Sequence, residues 1–133
     1  MNNLSGTLMD VFFGPGDVSE ARTASRKRVY ISGPITLGDR EANVRQALEA
    51  HKRLLDLGYA PLNPMLSAWI PWEAEVPHEV WVQADLPWVE MSDALLRLPG
   101  ESAGADEEVR HAIKMGIPFF ASVEELHEFF NGV

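Results

Sequence analysis

A chain of 133 residues, 46% hydrophobic and 23% charged, is one domain's worth of sequence and long enough to bury a real core. It has no cysteine, which excludes disulfides and thiolate chemistry, and its net charge of −9 argues against broad contact with a nucleic-acid polymer. No apolar run reaches the roughly 18–20 residues of a membrane span, and the short Leu8–Phe13 run follows no basic segment, so no membrane contact and a cytoplasmic location are expected.

Residues 1–26 lack sustained periodicity and contain the turn signal "GPGD". They read as a flexible arm with one sticky patch, Val11 to Phe13, ahead of a domain over 27–133. From Arg28 the pattern is regular. "RVYISG" is a β-rich run ending in glycine, and Val44, Ala47, Leu48, His51 and Leu55 then recur at helical spacing. Asp39 is the expected N-cap of that helix and Gly58 its stop. "YAPLNP" is a second strand cut off by Pro64, and a segment bearing Trp69, Trp72, Trp81 and Trp88 follows.

"HEVWVQADLPWVEMSD" reads as a helix in which Pro87 sits in a first turn or makes a kink. "ALLRLP" is the third strand, residues 105–115 the next helix and "IPFFA" the fourth strand. Ser122 with Glu125 forms a capping box for the last helix. Strands alternating with helices imply a parallel sheet with right-handed crossovers. The expected fold is a Rossmann-like (flavodoxin-like) three-layer α/β domain with a sheet of four to five strands.

In such sheets ligands bind beyond the carboxyl ends of the strands. That directs attention to Ser32–Thr36, to Asn63 and Pro64, and to Gly100–Gly104. The helix after the last of these loops opens with Asp106, Glu107 and Glu108. At about 100° per residue, Ala105, Val109, Ala112, Ile113 and Gly116 form one stripe. Glu107 falls opposite it, while Glu108 falls at its edge, partly buried beside first-turn N–H groups that favour an anion. Capping of the helix dipole explains the sign of the cluster, and only the position of Glu108 suits a cleft.

Asp85 precedes Leu86-Pro87 and could be a helix N-cap or a reagent. Asp93 ends the same segment, where it could cap a loop. Tyr30 alternates with Val29 and Ile31 in the first strand, as a half-buried β residue would. The "SGPIT" loop offers small and hydroxyl residues that could cradle a phosphate, without matching a Walker or G-x-G-x-x-G pattern. His51, His78, His111 and His127 have no metal-ligand spacing, so neither a metal nor a cofactor is expected.

"VYISGPIT", Asn43, "LGYAPLNP", "ADLPWVEMSDALLRLPG" and "SAGADEE", in that order, resemble the nucleoside 2-deoxyribosyltransferase superfamily over residues 28–121, and its small phage and bacterial members in particular. The resemblance implies that Glu108 attacks the anomeric carbon, that Asp85 protonates the departing base and that Tyr30 orients the nucleophile. Members acting on free nucleosides have an aspartate six positions before the nucleophile, and this chain has Ser102. That is similar to the branch hydrolysing nucleoside 5′-monophosphates, and it implies a substrate site of Ser32, Gly33, Ile35, Thr36, Asn63, Ser102 and Gly104. The chain differs in having Glu101 after "LPG" and no cation in the first loop before Arg40. The implied protein is a homo-oligomeric N-glycosidase acting on a small nucleotide or nucleoside. Base exchange, a non-catalytic nucleotide-binding module and an interaction protein using the arm and the tryptophans are the other readings.

Overall fold

The computed structural model describes residues 25–64 and 76–132. In chain order these contain β1 (Arg28–Ser32), α1 (Arg40–Asp56), β2 (Ala60–Leu62), α2 (His78–Glu90), β3 (Ala94–Arg97), α3 (Ala103–Met115), β4 (Phe119–Phe120) and α4 (Val123–Asn131). The strands pair in parallel in the order β2-β1-β3-β4. This is the expected Rossmann-like sheet, with four described strands and the flavodoxin-like reversal of direction between β1 and β3. Trp69, Trp72, the Val11–Phe13 patch and all of the expected arm except residues 25 and 26 lie outside the described residues.

Alternation along the strands assigns each face. Val29 and Ile31 of β1, with Ala94 and Leu96 of β3, pack against Ala47, Ala50 and Leu54 of α1 and Val123 and Leu126 of α4. Leu54, Leu96 and Leu126 are fully buried there, and each contributes about 1.5–3 kcal/mol of burial. Tyr30 and Leu95 face the other way, toward Val89 of α2 and Ala112 of α3. That second layer is apolar beneath Leu95 and turns polar where Tyr30, Ser32 and Glu108 are enclosed.

Asp39 caps α1 as expected, its side chain accepting from the Ala42 N–H at 3.1 Å. The buried stripe of α1 is offset from the expected one, however. Leu48 and Leu55 are 56% and 43% exposed, and Ala50 and Leu54 face the sheet instead. Ala47, Ala50 and Leu54 fall at i, i+3 and i+7 on one face, and Leu48 and Leu55 lie roughly 80–100° round from Ala47 on the water side. Ser122 caps α4 through the Glu125 N–H, but the Glu125 carboxylate reaches back to the Ala121 N–H rather than to that of Ser122.

The second helix differs most from expectation. Its N-cap is Pro77, so Asp85 is not a cap but lies two turns into the helix. Pro87 stands inside α2 rather than in its first turn, on the exposed side of the helix. Asp93 tethers the start of β1, accepting the Arg28 N–H at 2.7 Å, which accounts for an acid just after the end of a helix.

Candidate active site

Because Tyr30 and Ser32 are two apart on β1, both point to the α2/α3 side of the sheet. On α3, Ala105, Glu108 and Ala112 fall one above another at i, i+3 and i+7 and form its buried side. Ile113, at the far edge of the expected stripe, is 58% exposed, so the buried face is turned toward Glu108. The carboxylate, 6% exposed, meets the two strand hydroxyls. Tyr30 donates to Glu108 Oε2 at 2.6 Å, and Ser32 donates to Oε1 at 2.7 Å. Tyr30 is fully enclosed rather than half-buried.

Burial pushes the Glu108 pKa upward, while the Tyr30 and Ser32 hydrogen bonds pull it back, Asp85 raises it and Arg97 lowers it. Asp85 is also raised, by burial, with a smaller opposing effect of its hydrogen bond to Tyr30. Tyr30 is raised far beyond the range of a titrating phenol, by burial first and then by the charges of Glu108 and Asp85, so it acts as a neutral donor. The arrangement is therefore one buried carboxylate held at both oxygens, with a second acid of raised pKa beside it.

These acids line a cleft of about 350 Å³ at the carboxyl end of the sheet. Of the residues expected there, Asp85, Glu108, Gly33, Ile35, Thr36, Asn63, Ser102 and Gly104 line it. Tyr30 and Ser32 lie beneath its surface, and the Ser32 hydroxyl is committed to Glu108 rather than offered to a phosphate. Ser102 is the N-cap of α3, its Oγ accepting from the Ala105 N–H at 3.1 Å, which leaves its own O–H to donate. Trp81 and His78 also line the cleft, and Trp88 is exposed. His78 was not singled out in the sequence, where its lone, scattered position carried no signal. Trp81 was distinguishable from its fellow tryptophans only by lying one turn before Asp85.

The two loops that form the cleft wall are locked together. The Leu98 N–H donates to the Ser32 carbonyl at 2.7 Å. Gly100 has φ +118° and packs so close to Pro34 that a Cβ at this position would lie 2.7 Å from Pro34 Cγ. The Arg97 guanidinium donates to the carbonyls of Leu98 and Gly100 and to Asp106 Oδ1, tying the loop to α3. Among the described residues no group of three or more His, Cys, Asp or Glu side chains is placed to hold a metal ion, and no helix is long and apolar enough to cross a membrane.

Residues 27–121 match the family described as a domain of unknown function, DUF4406. The chain belongs to that family. This DUF4406 protein is similar in fold to a 2-deoxyribosyltransferase from Bacillus psychrosaccharolyticus, at 19% identity over 69% of each chain with a TM-score of 0.53. It is also similar to a conserved protein from Enterococcus faecalis V583, at 22% identity over 80% of this chain and 76% of the other, with a TM-score of 0.59. A comparison with curated proteins found no match. The superfamily fold that the sequence motifs suggested is thus the fold of this DUF4406 chain.

Proposed function

We propose that the protein is an N-glycosidase that cleaves the base–sugar bond of a nucleoside or deoxynucleoside 5′-monophosphate. The observation that carries this reading is the enclosed Glu108 carboxylate, held by Tyr30 and Ser32 in a cleft that Asp85 also lines. Cleavage of an N-glycosidic bond passes through an oxocarbenium-like state, which a fixed carboxylate stabilises or captures. In the first step a Glu108 oxygen bonds to the anomeric carbon. The carbon–nitrogen bond breaks, its electron pair leaves with the base, and the base takes the proton of neutral Asp85. In the second step ionised Asp85 accepts a proton from water as the water oxygen attacks the anomeric carbon and Glu108 departs. The products are free base and sugar 5-phosphate.

Tyr30 and Ser32 serve this cycle by fixing both Glu108 oxygens and leaving each a lone pair. The raised pKa of Asp85 keeps a larger share of it protonated, as a proton donor requires. Trp81, one turn before Asp85, offers a ring against which the base can stack. Ser102, Gly104 and the strand-one loop take the phosphate. The reading carries with it a cytoplasmic homo-oligomer that uses neither metal nor cofactor.

The similarity in fold to a 2-deoxyribosyltransferase supports base exchange as the second reading. The first step is then the same, and a second base replaces water. Base release measured on ribo- and deoxynucleosides and their 5′-monophosphates, with and without a second free base, separates the readings. Release from monophosphates without added base is the expected result, together with its loss in Glu108→Gln. Product nucleosides formed only when a base is added would make the protein a transferase. Bound nucleotide with no cleavage would make it a binding module and overturn the assignment of Glu108.

A further inference from the structure

The wall of the cleft contributed by α2 runs from rim to floor through His78, Trp81, Val82 and Asp85. Facing it, α3 and its cap run through Ser102, Gly104, Ala105 and Glu108. His78 bridges the two walls at the rim. A Cβ placed on Gly104 would come within 3.2 Å of the His78 Cε1, so the imidazole rests on the first turn of α3 and would have to shift by a few tenths of an ångström for any larger residue there. Its Nε2 lies 3.7 Å from Glu107 Oε1, close enough for attraction but too far for a hydrogen bond.

The charges around the cleft give this position its meaning. Asp85 and Glu108 line it, and Glu107 flanks its rim. Among the described lining residues there is no lysine or arginine, and His78 is the one whose side chain can carry a positive charge. Arg97 is not among those lining residues, and its guanidinium donates to two carbonyls and Asp106. Among the described lining side chains, His78 is therefore the one that can set positive charge against a phosphate dianion at the rim.

We propose that His78 is the cationic, hydrogen-bonding contact for the substrate's 5′-phosphate and the residue that selects monophosphates over free nucleosides. This rests on the reading of the cleft as a nucleotide site. The Nε2–H, which makes no hydrogen bond to Glu107, is offered to the phosphate. His78 acts on affinity for the phosphorylated substrate and not on the bond that breaks. Glu107 opposes the phosphate electrostatically, as a second anion attracted to the same imidazole.

Two measurements test this. Steady-state kinetics compare a deoxynucleoside 5′-monophosphate with its nucleoside for the wild type, His78→Gln, His78→Lys and Glu107→Gln. Loss of one charge-assisted contact should raise the monophosphate KM of His78→Gln about tenfold, well beyond any change in kcat or in the nucleoside KM. His78→Lys should recover most of that loss, and Glu107→Gln should lower the monophosphate KM. Separately, inorganic phosphate titrated into the wild-type protein should shift the imidazole NMR signals that are missing from His78→Gln. An equal loss for both substrates, an unchanged monophosphate KM, or His78 signals that phosphate leaves unmoved would each overturn the proposal. Shifted His78 signals in a protein that cleaves nothing would support the phosphate contact and sink the glycosidase reading. Cleavage of monophosphates that is indifferent to His78 would do the reverse.

Discussion

Tyr30 and Glu108 stand 78 positions apart in the chain and share a 2.6 Å hydrogen bond in the interior. Both residues are enclosed, so the bond is shielded from water and the phenol has no competing solvent partner. A hydrogen bond to an ionised group is worth about 1.5–3 kcal/mol. Tyr30→Phe keeps the ring and removes that bond. We expect kcat/KM to fall between about tenfold and a hundredfold while the far-ultraviolet circular dichroism stays the same. A variant within twofold of the wild type would show that Tyr30 does not hold Glu108 during the reaction.

Burial holds the Asp85 pKa above the usual aspartate value of 3.8, and Glu108 is raised in the same direction. The proposed first step needs Asp85 protonated and Glu108 ionised, so kcat/KM should follow a bell against pH. Its two apparent constants belong to the pair rather than to either residue. Asp85→Asn cannot give up a proton. It should lose about 10²–10⁴-fold in rate and lose the alkaline limb as well. An alkaline limb surviving unchanged in Asp85→Asn would assign that ionisation to another group.

The same burial bears on stability. With its folded-state pKa above the usual 4.5, Glu108 keeps its proton in the native chain over a pH interval in which the unfolded chain has already released it. Stability therefore falls as the pH rises through the interval between the unfolded and folded values, and stays lower above it. Asp85 contributes in the same direction. Glu108→Gln removes the buried charge while keeping a side chain that can bond with Tyr30 and Ser32. Its melting temperature should exceed that of the wild type by a few degrees at pH 7.5, and the gap should close as the pH falls below 4.5. A gap that is the same at pH 4 and pH 7.5 would mean that Glu108 does not titrate differently in the folded chain.

The sheet was legible because strand and helix periods alternate cleanly from Arg28 onward, and Glu108 because one helical stripe broke on a carboxylate. Asp85 was harder to place. A residue two before a proline reads locally as a cap, yet α2 carries Pro87 on its exposed side and continues through it. The inward side of α2 was hidden for a related reason. The helix buries Val82 and Val89 but exposes Val80 and Trp88, so apolar spacing does not mark which side meets α3. His78 and Trp81 enter the cleft by that hidden orientation. Ser32 shows the opposite limit. Its loop was visible as part of the site, but whether its hydroxyl faces a ligand or Glu108 depends on strand parity and on a helix far along the chain.

Gly100 separates backbone strain from loop contact. Its φ of +118° is unfavourable for any side chain, and a Cβ there would also strike Pro34 at 2.7 Å from Cγ. Gly116, the C-cap of α3, has φ +75° with nothing within 4 Å of its Cβ position, so alanine there meets only the conformational cost. That cost is about 1 kcal/mol. Gly100→Ala should cost more, about 2–4 kcal/mol, because it must also push the two cleft loops apart. The displaced segment runs directly into Ser102, so Gly100→Ala should raise the monophosphate KM severalfold, and Gly116→Ala should leave it unchanged. Denaturant unfolding and steady-state kinetics on the two variants give both comparisons. Equal stability losses with unaltered KM in both would mean that the Gly100–Pro34 contact does not set the cleft wall.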